Sequence, residues 1–123
     1  MNQGRFGLAS LVGSAMLVAS SPAWAHAHLV SSNPAANATV GSAPKTITLT
    51  FSAKVAPAFS KFELVMPEHG GMKVPVKTAV SKDGKSIVGT VSAPLAKGAY
   101  KIAWSAASAD GHKMTGEVPF TVG

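Results

Sequence analysis

Apolar and polar residues alternate in short runs along most of the chain, and Gly, Pro and Ser separate the runs. In Ile47-Thr48-Leu49-Thr50-Phe51 the pattern puts Ile47, Leu49 and Phe51 on one side of an extended strand, because successive side chains point to opposite faces. Phe62-Glu63-Leu64-Val65-Met66 is a second such run, halted by Pro67. Val74–Val80 reads as a third; its Pro75 lacks the N–H a ladder needs, which assigns it to an edge or a strand start. Asp83-Gly84 predicts a turn, and alternation resumes over Ile87–Val91. Gly98–Trp104 aligns Tyr100, Ile102 and Trp104, while Glu117–Val122 aligns Val118, Phe120 and Val122. With Leu29-Val30 at the start, about seven short strands recur at intervals of roughly ten residues. After the first 25 residues no segment holds a helical period for three turns. The pattern predicts an all-β fold, a seven-stranded Greek-key β-sandwich or barrel. Its expected core is Leu29, Ile47, Leu49, Phe51, Leu64, Val88, Tyr100, Ile102, Trp104, Val118 and Phe120.

The first stretch has a different character. Met1–Arg5 carries one positive charge, Phe6–Ser20 is uncharged and apolar, and Ala23-Trp24-Ala25 ends it with small residues at the two positions a signal peptidase reads. The apolar run is about 15 residues, short of the roughly 20 a bilayer-spanning helix needs. A secretory leader over residues 1–25 is therefore expected, with one exported domain over residues 26–123 and no membrane span after cleavage. The mature chain then begins His26-Ala27-His28. Ala25-His26-Ala27 also satisfies the small-x-small rule and would start it at His28, but Pro22 upstream and Trp24 in the unrestricted middle position favour the first cut.

Composition narrows the chemistry. The formal charge is +6, and the only Arg, Arg5, leaves with the leader, so the domain's cations are Lys spread singly along strands. That is a solvated face rather than a nucleic-acid footprint, which would show Arg clusters and stacking aromatics. There is no Cys. An exported domain of this size without disulfides is held by its core alone or with a metal. Any metal is left with His, carboxylate, Met and the terminal amine as ligands.

Four His follow the leader: His26, His28, His69 and His112. None lies in an apolar run; two open the domain and two sit in Gly-containing loops. An amino-terminal His offers its amine and ring Nδ1 to one metal as a chelate, and both deprotonate readily enough to bind near neutral pH. Nitrogen donors in a square arrangement suit Cu(II). Asp110-Gly111-His112 adds a carboxylate and an imidazole; two residues apart in an extended segment they point the same way, and Gly111 permits close approach or a tight bend. The carboxylate either ligates or orients an imidazole. His28 is an additional ligand. At the third position it also permits wrapping of the ion by amine, backbone amides and imidazole, a mode that needs a free terminus. Met66-Pro67-Glu68-His69-Gly70-Gly71-Met72 gathers soft, neutral donors that favour Cu(I); equally, Met66 ends a strand in the core and Met72 covers a surface gap. Met114 shares the parity of His112 and lies either near the site or in the core.

Together these segments resemble the CopC/PcoC family of periplasmic copper-binding proteins. The resemblance runs from His26-Ala27-His28-Leu29-Val30-Ser31-Ser32-Asn33-Pro34-Ala35 through Leu49-Thr50-Phe51-Ser52, Leu64-Val65-Met66 and Pro94-Leu95…Gly98-Ala99-Tyr100. It continues to Trp104-Ser105…Ser108-Ala109-Asp110-Gly111-His112…Thr115-Gly116. It implies a cupredoxin-like or immunoglobulin-like barrel or sandwich in the periplasm, with Cu(II) on His26, Asp110 and His112. It implies also a weaker Cu(I) position at Met66, His69 and Met72, where the fuller Met cluster of some relatives is missing. Ala53 stands where relatives often carry Glu. An inner-membrane CopD-like copper transporter is the implied partner. A copper carrier without bond-making chemistry is thus the leading expectation. The alternatives are a copper-dependent oxidative enzyme with a histidine brace, as in lytic polysaccharide monooxygenases, and a metal-free adhesion or assembly module. The few aromatics of the domain, mostly on core parity, count against a broad glycan-binding face.

Overall fold

The computed structural model describes residues 27–123; the expected leader and His26 lie outside the described residues. The alternating runs form strands β1 (Leu29–Asn33), β2 (Ala38–Val40), β3 (Thr46–Phe51), β4 (Lys61–Met66), β5 (Met72–Val74), β6 (Val76–Val80), β7 (Ser86–Val91), β8 (Gly98–Ala107) and β9 (Lys113–Val122). They make a four-stranded sheet of order β1-β3-β7-β6 and a five-stranded sheet of order β2-β9-β8-β4-β5, and neither closes on itself. Every pairing is antiparallel except that of β2 with β9. The all-β expectation holds, as an open two-sheet structure rather than a barrel.

Nine strands among the described residues replace the expected seven. One addition is β2, three residues too short to show a period. The other comes from the Val74–Val80 run, which is two strands. Val74 ends β5, paired to β4 in one sheet, and Val76 starts β6, paired to β7 in the other. Pro75 is the crossing point, and both strands are sheet edges, where a missing N–H does no harm. β9 runs from Lys113 to Val122, longer than the expected Glu117–Val122. Gly116 faces Trp104 across the β8–β9 ladder, and a Cβ there would lie 2.5 Å from the indole.

Both sheets feed one core, in which Ile47, Leu49, Leu64, Ile87 and Ile102 are fully buried and Phe51 meets Trp104 edge-on at 5.2 Å. Tyr100 stacks on Phe120 and donates its hydroxyl to the Ala96 carbonyl at 2.6 Å. Two core expectations need correction. Leu29 is only partly buried at the rim. Val88 is half-buried, and the inward residues of β7 are Ile87 and Gly89. Gly89 hid the parity: the Phe62 ring occupies its side-chain space, and a Cβ would stand 2.2 Å from Phe62 Cζ.

Candidate metal centre

The segment after β3 knits one pole of the molecule together. Phe51 N–H donates to Lys85 O at 2.7 Å, and Ser52, Val55 and Ala56 N–H donate to His28, Gly84 and Ala107 carbonyls, each at 2.8 Å. Val55 also bridges Ser108. The start of the described chain, the β6–β7 turn and the β8–β9 turn therefore share this pole.

Asp110 and His112 meet in the β8–β9 turn. Ser108 N–H donates to His112 O and Gly111 N–H to Ser108 O, both at 2.9 Å, while Gly111 takes φ +90°, a region that favours glycine. The buried Ser108 hydroxyl donates to Asp110 Oδ1, which also accepts the His112 amide at 3.1 Å. Asp110 Oδ2 lies 2.9 Å from His112 Nδ1. The two side chains thus come together through a tight turn, the second of the two arrangements that the Asp-Gly-His spacing allows. First the Ser108 hydroxyl, then the His112 ring and amide, hold the Asp110 carboxyl well below the usual carboxylate range. An ionised carboxylate only accepts, so Nδ1 carries the proton in this pair. That places the lone pair of the neutral ring on Nε2. Asp110 in this geometry orients the imidazole.

His28 is exposed at the same pole. Its amide donates to Ser52 Oγ at 3.0 Å, and its Nδ1 lies 3.1 Å from the same oxygen. Ala27 before it is buried. Wrap-around chelation at a third-position His requires that amide and that nitrogen, and Ser52 engages both. Neither Ser52 nor Ser108 stood out in the sequence. The signal for Ser108 was its place two residues before an Asp-Gly pair, the position from which a hydroxyl reaches back to a turn carboxylate.

The Met66–Met72 loop lies at the opposite pole. Met66 and Met72 are register partners in the β4–β5 ladder, but Met66 is buried at 7% exposure and Met72 is 54% exposed. Pro67–His69 forms a 3-10 turn, with His69 exposed beside Gly70 and Gly71 at φ +70° and +74°. Met114 is half-buried against the core. Among the described residues no group of three or more His, Asp or Glu side chains stands close enough to hold a metal ion. The expected set of three depends on His26, outside them.

The family model for the CopC domain matches residues 29–123. Copper resistance protein C of Xanthomonas campestris pv. juglandis is 44% identical over 110 residues, covering 85% of this chain and 86% of the relative. Copper resistance protein C of Pseudomonas syringae pv. tomato is 43% identical over 123 residues, covering 96% of each. The crystal structure of PcoC, a methionine-rich copper resistance protein from Escherichia coli, superposes with a TM-score of 0.73 at 40% identity, covering 80% of this chain and 100% of that one. The chain belongs to the CopC family.

Proposed function

We propose that this protein is a copper carrier of the periplasm, serving copper resistance or transport, and that it binds the ion without making or breaking covalent bonds. Residues 1–25 are a leader whose removal exposes His26, and residues 26–123 are the carrier domain, with Greek-key connections. Cu(II) is held by the amine and ring of His26 and by His112 through Nε2, with Asp110 alongside. His28 is peripheral. The carrying observation is the Asp110–His112 pair, preset by Ser108 at the pole where Ala27 and His28 enter the fold. The names of the relatives support copper as the cargo, and a CopD-like inner-membrane transporter is the proposed partner. Among the described residues no helix is long and apolar enough to cross a membrane. The facing positions of Met66 and Met72 support a weaker Cu(I) position there, with His69.

Mass spectrometry of the periplasmic form, with copper titration in both oxidation states, tests this reading. The mass should correspond to a chain starting at His26. His26→Ala and His112→Ala should each abolish tight Cu(II) binding, whereas Met66→Ala/Met72→Ala should weaken Cu(I) alone. Tight Cu(II) binding that survives both His substitutions overturns the site, and unchanged Cu(I) affinity in the Met variant removes the loop from it.

A further inference from the structure

Beside the β8–β9 turn lies a groove of about 620 Å³ lined by Pro57, Phe59, Lys61, Ser105, Lys113 and Thr115. Phe59 is 64% exposed, which is unusual for a large aromatic held in fixed structure. It is held firmly. Ala56 N–H donates to Ala107 O at 2.8 Å and Phe59 N–H to Ala56 O at 3.1 Å. Buried Ser60 accepts the Ala107 amide on its hydroxyl at 3.2 Å. The 3-10 turn Pro57–Phe59 is thus fastened on both sides to Ala107, the residue before Ser108. An aromatic presented this way loses little conformational freedom when a partner covers it, which is how interface anchors work.

Charge on the same face is unevenly matched. Lys61, Ser105 and Thr115 lie side by side across β4, β8 and β9, and the next outward row along the strands is Glu63, Ala103 and Glu117. Those two carboxylates are taken: Glu63 pairs with Lys73 at 3.2 Å and Glu117 with Lys101 at 3.4 Å. Among the described residues, no carboxylate pairs with Lys61 or Lys113. The groove therefore combines a rigid apolar anchor with two cations that lack counter-charges. Lys113 directly follows His112.

From this we infer that the groove docks an acidic segment of a partner protein. An apolar side chain of the partner packs on Phe59, and its carboxylates reach Lys61 and Lys113. The docking stands on these residues alone; where the copper reading also holds, it brings the acceptor of the ion alongside the Asp110–His112 turn.

The test uses the mature, metal-free protein, ¹⁵N-labelled, titrated with a Glu-rich peptide carrying one central Trp. The same peptide with Lys for Glu and phosphatidylglycerol vesicles serve as comparisons. Amide shifts should cluster at Phe59, Lys61, Ser105, Lys113 and Thr115. Phe59→Ala and Lys61→Glu/Lys113→Glu should each weaken binding by about tenfold, whereas Lys45→Glu/Lys97→Glu, at the far pole, should change it by less than about twofold. Equal weakening by both Lys pairs, or full affinity in Phe59→Ala, overturns the proposal. So does absence of binding, or binding to vesicles but not to peptide, which would make this a lipid-facing surface. Repeating the titration with Cu(II) present separates the two readings. Peptide binding without copper binding leaves the groove standing and removes the carrier function.

Discussion

Ser81-Lys82-Asp83-Gly84-Lys85 and Ser108-Ala109-Asp110-Gly111-His112 repeat one Ser-x-Asp-Gly hydrogen-bond pattern at one pole of the protein, although the Ser81 amide closes on Ser86 and the Ser108 amide on His112. In the first, the Ser81 hydroxyl donates to Asp83 Oδ1 at 2.6 Å, the Lys85 amide donates to the same oxygen at 3.0 Å, and Gly84 N–H reaches Ser81 O at 2.9 Å. Gly84 takes φ +78° where Gly111 takes +90°. The serine first, then the amide two residues on, hold Asp83 below its usual range. The same two kinds of donor act on Asp110, where the His112 ring is added. The depressed carboxylate is thus a property of the turn and says little about a ligand. What sets the second turn apart is the imidazole at its fifth position, where the first has Lys85, together with full burial of its serine.

Exchanging that one difference should have the largest effect. His112→Lys copies the fifth position of the first turn, so it should leave the melting temperature within a few degrees. Cu(II) affinity should fall by more than about a hundredfold, beyond the roughly 10–100-fold typical of losing an outer-shell partner. Competition against a chromophoric chelator reads the affinity, and retained binding would show that the imidazole is not what distinguishes the turns. A smaller effect separates the serines. Ser108→Ala removes a buried donor to an ionised acceptor and should destabilise the domain by about 1–2 kcal/mol in urea unfolding. Ser81→Ala should destabilise it less, since Ser81 is only half-buried. Equal losses would mean that burial does not separate the two. The smallest effect concerns pH. Asp83 titrates lower folded than unfolded, so its stabilising contribution is present above about pH 4 and lost as pH falls through the folded value. The gap in Tm between the native chain and Asp83→Asn should therefore narrow below about pH 4; a gap that widens there would reverse the assigned sign.

Sequence pattern read these elements unequally. β3 and β4 were legible because each buries one parity without interruption, and Pro67 marks where β4 stops. Asp83-Gly84 was legible as a turn for its own chemistry. Asp110-Gly111, the same pair of residues, leaves an extended segment and a tight bend both open, because the hydrogen bonds that decide for the turn come from Ser108 and the backbone. Glycine misled elsewhere. At Gly89 and Gly116 a neighbouring ring fills the inward space, so the strands lose their apolar mark where the packing is tightest. The division of Val74–Val80 between two sheets left no periodic trace, because Pro75 suits an edge in either sheet. Of the candidate site, the residue types and their spacing were readable. The anchoring of His28 on Ser52 was not, since it joins residues 24 apart.

The crossing at Pro75 has a consequence for motion. A single residue carries the chain from one layer to the other, so at that corner the layers are sewn together with no slack. The molecule cannot gape there like a clam. The site proposed for copper lies at the turns of the opposite end, away from this seam.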